Sequence, residues 1–214
     1  MLSALPASGT RLSDPFDEVS HNIDEPEDLT IHPAGTVGRG AAEQYIRTGF
    51  FKSHRADIQS FMPVLVSMQD PEGHIGAALG YRPADDKPLF LERYLREPVH
   101  TTISRQRGCS VPRGTVVEIG NLACGDAEIA ARLMWAVARH LVRRRYRWVV
   151  FTGTRSVRKI LRIFPAQLIE LGEAHEACAG DTGDAWGRYY RADPRVLAGF
   201  LPDAFPNQHI GAPK

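Results

Sequence analysis

One carboxylate interrupts an otherwise apolar run of β-branched character, Thr115-Val116-Val117-Glu118-Ile119-Gly120-Asn121-Leu122-Ala123. An ionised side chain in such a run is expensive unless it is paired or opens onto a cleft. Glu118 is therefore the first candidate for chemistry, either as a general base that takes a proton from an amine nucleophile or as the carboxylate that holds a substrate ammonium. The bland alternatives are a buried ion pair with Arg93 or Arg105, or a solvent-exposed strand face. Glu92, in Phe90-Leu91-Glu92-Arg93-Tyr94, raises the same question, divided between substrate contact by Glu92 and Arg93 and a structural role.

The aromatic cluster Trp186, Tyr189 and Tyr190 could wall an acyl pocket, or a tyrosine of that cluster could protonate a thiolate leaving group; ordinary core packing explains it as well. Cys124-Gly125-Asp126 marks the turn after the Glu118 run. Gly125 allows close backbone approach there, and Asp126 is placed to cap a following helix. Cys124 at a helix start has the position of a lowered-pKa thiol, although nothing else supports a nucleophile. His140, far along that helix, reads as structural. Ser-His-Asp order, zinc-ligand spacing, a Walker loop and a GxGxxG run are all missing from the sequence.

These residues need elements to hold them. Ala42, Tyr45, Ile46, Phe50 and Phe51 recur at near-helical spacing and the pattern continues over 54–61, so one or two helices are expected there. Apolar runs at 62–68 and 75–81 flank Asp70-Pro71-Glu72-Gly73 and predict a hairpin. The stretch 89–95 predicts a short strand or extended wall, and 98–107 a short helix with an early proline. Strand 115–123 is followed by the strongest amphipathic pattern, Ile129, Leu133, Val137 and Leu141, and then by the apolar strand 148–154. That order is a β-α-β unit with parallel strands, and ligands bind beyond the carboxyl ends of such strands. A helix is expected over 156–164, a late strand over 186–190, and a last short helix from Asp193-Pro194 through Phe200.

The 214 residues suit one domain with a sizeable core. The segment 1–40, with Pro6, Pro15, Pro26, Pro33 and few apolar residues, reads as a partly irregular extension, 41–203 as the domain, and 204–214 as a tail. A net charge of +1 argues against a nucleic-acid partner. Three cysteines, odd in number and without metal spacing, fit a reducing cytoplasm and a site with no metal. No stretch approaches the ~18 apolar residues of a transmembrane helix.

The blocks just described closely resemble the thermostable hemolysin family. The resemblance runs through Leu89-Phe90-Leu91-Glu92-Arg93-Tyr94-Leu95 with Glu97-Pro98-Val99, and through Val117-Glu118-Ile119-Gly120-Asn121-Leu122-Ala123. It continues in Tyr146-Arg147-Trp148-Val149-Val150-Phe151-Thr152-Gly153-Thr154 and in Trp186-Gly187-Arg188-Tyr189-Tyr190 with Pro194, Ala198 and Gly199. That family is similar in plan to the GNAT superfamily and to acyl-homoserine-lactone synthases. The resemblance implies an α/β (α+β) GNAT-like acyltransferase fold, a mixed central sheet flanked by helices. It implies an N-acyltransferase that uses an acyl-carrier-protein phosphopantetheine or coenzyme A thioester as co-substrate, has no tightly bound cofactor, and acts on a small-molecule amine.

In this reading Glu118 is the base or amine-holding carboxylate and Tyr189 the proton donor. Asn121, Leu122, Ala123, Cys124 and Gly125, with Trp148 and Phe151 across the gap, receive the acyl donor; Glu92, Arg93 and Trp186 contact the acceptor. GNAT enzymes carry a Q/R-x-x-G-x-G/A pyrophosphate loop after the central strand. Ala123-Cys124-Gly125-Asp126-Ala127-Glu128 departs from it, which favours the carrier-protein arm, met by the basic face of Arg155, Arg158, Lys159 and Arg162. The alternatives are a membrane-active hemolysin-like protein and an acyl-ligand-binding module without catalysis. Assembly stays open between monomer and homodimer.

Overall fold

The computed structural model describes residues 29–84, 87–180 and 185–205. Strand β1 (Leu29–Pro33) leads to helix α1 (Arg39–His54), then to the hairpin β2 (Val64–Gln69) and β3 (Ile75–Pro83). The hairpin turn is built by Asp70, whose Oδ1 accepts the amides of Glu72 (3.1 Å) and His74 (2.8 Å), while Gly73 takes φ +83°. Helix α2 (Val99–Arg107), strand β4 (Val116–Cys124), helix α3 (Ala127–Arg143) and strand β5 (Trp148–Gly153) follow. The short helix α4 (Arg155–Ile160) precedes β6 (Leu168–Glu173) and β7 (Arg195–Phe200).

The strands form one seven-stranded sheet in the order β1-β2-β3-β4-β5-β7-β6. Among the described residues only β4 and β5 run parallel; every other pair is antiparallel. Helix α3 makes the crossover, and Asp126 starts it as expected by accepting the amides of Glu128 (2.7 Å) and Ile129 (3.3 Å).

The two-residue period of the strands sorts their side chains between two faces. Leu79 and Val117 pack with Leu133, Val137 and Leu141 of α3. Their neighbours turn the other way, Ala78 toward α1 with Ile46 and Phe50, and Val116 toward α2 with Val99 and Ile103. The chemistry-bearing face is thus the one covered by α1 and α2, and the α3 side is apolar filling.

Several elements differ from the sequence expectations. Residues 89–95 are not a strand: Phe90–Tyr94 coils into a 3-10 turn. The cause is Glu92, which accepts the amides of Leu89 and Val99, both at 2.8 Å, and so ties both ends of the segment to one carboxylate. Helical pattern beyond His54 is not used, because Arg55 takes φ +56° and its amide caps α1 on Phe51 O.

The expected late strand at 186–190 is instead a turn and a 3-10 helix (Tyr189–Ala192) folded over the end of α1. Gly187 has φ +53° and presses against the carbonyls of His54 and Arg55, an approach that only glycine permits. The expected last helix is β7, and β6 was not foreseen; β7 lies between β5 and β6, which explains a run, Val196, Leu197 and Ala198, buried on both faces.

The boundaries also shift. β1 lies within the expected N-terminal extension yet pairs with β2 as the sheet edge. At the other end Ala204 and Phe205 are buried in the α3-side core, with the Phe205 ring 5.5 Å from that of Trp135. The remainder of the expected extension (1–28) and tail (206–214) lies outside the described residues.

Candidate active site

The parallel pair is where the sheet opens. β4 and β5 are in register from Val116↔Trp148 to Ile119↔Phe151, and there the pairing stops although β4 continues to Cys124. A bulge directs the departure. Gly80 faces Gly120 and Ala78 faces Ala123, so β4 carries one extra residue over that span. Asn121 at φ +56° supplies the left-handed backbone, a conformation asparagine tolerates, and its Oδ1 accepts the Met62 amide at 2.8 Å. Among the described residues one edge of β4 beyond Ile119 is left without a strand partner.

A cavity of about 220 Å³ occupies the gap and reaches both faces of the sheet. On the α1/α2 side its walls include Phe50, His54, Phe90, Glu118, Trp186 and Tyr189; on the α3 side they are Met134, Val137, Ala138, Val149, Phe164 and Leu168. Polar atoms gather at the first mouth and the far end is hydrocarbon, a layout that suits a ligand with a reactive head and a greasy tail.

Glu118 sits at the neck, only 3% exposed. Its Oε2 accepts the Phe90 amide at 3.0 Å and its Oε1 the Leu91 amide at 2.9 Å. Neither arginine considered from the sequence pairs with it: Arg105 binds Glu97, and Arg93 donates to Ala179 O at 2.7 Å while stacking on Phe90. Burial raises the Glu118 carboxyl above the usual range, and the two amides with the field of Arg82 pull it partly back. A carboxylate held above its ordinary pKa and facing a cleft is suited to taking up a proton.

Tyr189 is buried against Trp186 and Phe50, and its hydroxyl donates to Thr152 O at 3.1 Å, on β5 just past the last pair with β4. Burial raises its pKa, so the phenol stays protonated. Burial also lowers the His54 imidazole, keeping it neutral beside the Tyr189 ring at 5.2 Å. Tyr94 and Tyr190 share a 2.7 Å hydrogen bond at the same mouth.

The other expected site residues divide. Asn121, Leu122, Phe151 and Trp186 line the cavity. Ala123 does not; it turns toward Gly49 of α1. Trp148 is also outside it, packed in the α2-side core against Phe200 at 4.9 Å, because its parity in β5 is opposite to that of Val149. Cys124 lies at the end of β4, exposed as a residue while its thiol is partly desolvated; that desolvation and the charge of Asp126 raise the thiol, the reverse of an activated nucleophile. Gly125 donates to Gly76 O at 3.1 Å.

Glu92 is taken up by structure, with Arg113 at 2.6 Å and the two amides already described, and these contacts hold its carboxyl below the usual range despite burial. It borders a second, shallower cavity of about 440 Å³, together with Arg82, Phe90 and Arg93. Sequence reasoning missed Arg82, His54, Phe90 and Tyr94. Arg82 carried a signal, a lone cation closing the apolar run of β3 and standing directly across from Glu118 in the ladder. Among the described residues no group of three His, Cys, Asp or Glu side chains could hold a metal, and no helix is long and apolar enough to cross a membrane.

A family model described as "Thermostable hemolysin" matches residues 32–205. The chain belongs to the thermostable hemolysin family. No curated protein sequence matches it. Solved structures do resemble this thermostable hemolysin family member in fold. The acyl-homoserine-lactone (AHL) synthase LasI aligns with TM-score 0.55 at 13% identity, covering 83% of this chain and 94% of that one. FeeM, an N-acyl amino acid synthase from uncultured soil microbes, gives 0.55 at 13% identity over 84% and 98%. BjaI, a CoA-dependent acyl-homoserine-lactone synthase solved with SAM and isopentyl-CoA, gives 0.55 at 14% identity over 87% and 90%. The fold is therefore an α/β GNAT-like one, with the opened parallel pair at its centre.

Proposed function

We propose that this hemolysin-family chain is an N-acyltransferase that moves an acyl group, fatty in character, from a phosphopantetheine thioester to a small-molecule amine. The observation that carries the reading is the cavity through the β4/β5 gap, with a buried carboxylate and a protonated phenol at one mouth and a hydrocarbon end under α3. The acyl transfers named for LasI, FeeM and BjaI support it, since all three share the fold.

In the proposed reaction the pantetheine amides pair with the free edge of β4 at Asn121–Ala123, and the acyl chain enters the gap toward Met134, Val137 and Phe164. The amine, met by Glu118, attacks the thioester carbonyl. Its nitrogen forms the new bond to carbon, its surplus proton passes to Glu118, and the carbon–sulfur bond breaks. Tyr189 is the hydroxyl available to protonate the departing thiolate, and solvent restores that proton. Backbone amides at the bulge serve as donors to the developing oxyanion in this reading.

Acyl carrier protein is the favoured donor and coenzyme A the second. The amides that open α3, where a pyrophosphate would be received, are occupied by the Asp126 carboxylate, and Glu128 adds a second negative charge. Exposed Arg155, Lys159 and Arg162 on and beside α4 offer a basic face to an acidic carrier. The decisive test incubates the protein with acyl-carrier-protein and coenzyme A thioesters of graded chain length and a broad amine panel. Thiol release and the amide product are followed by mass spectrometry. Absence of amide from every combination would refute the proposal.

A further inference from the structure

Arg82 stands alone among the arginines near the site. It is the ladder partner of Glu118, so the two side chains leave the sheet on the same face, with Cβ atoms ~5 Å apart as in any directly opposed pair. The guanidinium exerts a field on Glu118 yet closes to no ion pair with it, and among the described residues it makes no hydrogen bond. Arg82 and Phe90 are the two residues that line both the central cavity and the shallower one beside it. On the far side of Phe90, Arg93 lays its guanidinium 3.8 Å from the ring centroid, with a backbone carbonyl as its polar partner rather than a carboxylate.

Glu92 is neutralised by Arg113. Among the described residues the guanidiniums of Arg82 and Arg93, on either side of Phe90 at the Glu118 mouth of the cavity, make no ion pair with a carboxylate. A plain alkylammonium acceptor offers those guanidiniums nothing to bind. An acceptor that carries its own carboxylate beside the amine gives Arg82 a partner, because a guanidinium fork matches a carboxylate in two parallel hydrogen bonds.

Resting on the acyl-transfer reading, we infer that the acceptor is an α-amino carboxylate, with its amine at Glu118 and its carboxylate on Arg82, assisted by Arg93. The shallow cavity bounded by Pro88, Leu89 and Phe90 then receives the amino-acid side chain, and Arg82 is a binding group rather than a catalytic one.

The test compares the twenty amino acids with matched amines that lack the carboxylate, at equal free-base concentration, using whichever thioester is turned over. Wild-type protein is expected to prefer at least one amino acid over its matched amine by tenfold to hundredfold in kcat/KM, on the order of one charge-assisted contact. Arg82→Met should raise KM for that amino acid by a similar factor, leave kcat within a few fold, and bring the preference close to one. Arg82→Lys should restore part of it, and Arg93→Gln, at an exposed side chain, should weaken it.

A second arm needs no turnover: calorimetry with an N-dodecanoyl amino acid and with the corresponding N-dodecanoyl amine, the first expected to bind at least tenfold more tightly. Equal acylation of amino acids and bare amines, or equal binding of the two amides, would overturn the inference while leaving acyl transfer standing. Absence of transfer to either panel would instead remove the acyltransferase reading, and the calorimetric arm would still decide the carboxylate preference.

Discussion

Replacing Glu118 by glutamine separates a catalytic carboxylate from a merely structural one. In the wild type two backbone amides, Phe90 N at 3.0 Å and Leu91 N at 2.9 Å, each point at their own carboxylate oxygen. A glutamine has one oxygen for them, so one amide must face an NH2 group. An orphaned buried N–H costs about 1–3 kcal/mol, and the surviving bond loses its charge assistance, about 1 kcal/mol more. Relief from burying a charge works the other way, because desolvation already raises the Glu118 pKa. The net expectation near neutral pH is a loss of about 1–3 kcal/mol, which at ~2–4 °C per kcal/mol for a chain of this size lowers Tm by roughly 3–10 °C.

The pH dependence has a definite sign. The folded pKa of Glu118 lies above its ordinary value of 4.5, so its contribution to stability is fully present below 4.5 and is lost as pH rises through the raised folded value. The stability gap between wild type and Glu118→Gln should therefore narrow as pH climbs across that window. Activity is read in parallel. A general base predicts an acid limb in kcat/KM above the usual carboxylate range, with Glu118→Gln turning over ~10²–10⁴-fold more slowly and lacking that limb. A folded variant that acylates at the wild-type rate with an unchanged pH profile refutes the catalytic role. An unchanged Tm across the same pH range refutes the account of the two amides.

Ala138→Trp projects an indole into the α3-side end of the cavity; the longest acyl thioesters accepted by wild type should lose at least tenfold in kcat/KM while short ones are retained, as shown by a chain-length series. Gly187→Ala adds a Cβ 2.6 Å from His54 O at φ +53° and should destabilise by about 1–3 kcal/mol or more, read by urea titration. Asp126→Ala should cost about 0.5–2 kcal/mol through the lost helix cap, yet lower the KM for coenzyme A thioesters by freeing the α3 amides; an unchanged coenzyme A KM would count against the explanation of donor choice.

Whatever acts between neighbouring residues could be read along the chain. The α3 stripe of Leu133, Val137 and Leu141, its Asp126 cap, the flanking strands and their parallel pairing were all legible, because period, cap chemistry and crossover handedness act over neighbouring residues. Glu118 announced itself as a charge in an apolar strand. The partners of that charge were not legible: they are backbone amides of a segment that reads as a strand and coils only because Glu92 gathers its ends.

The point where β4 leaves β5 comes from a long-range contact, since the bulge at Asn121 depends on the Met62 amide, 59 residues away in sequence. Strand register, which no local signal encodes, likewise turned Trp148 out of the gap and brought Arg82 opposite Glu118. A one-residue step in register exchanges the faces of a strand. The identity of a site residue can thus be read along the chain, whereas its company is set by pairings between distant segments.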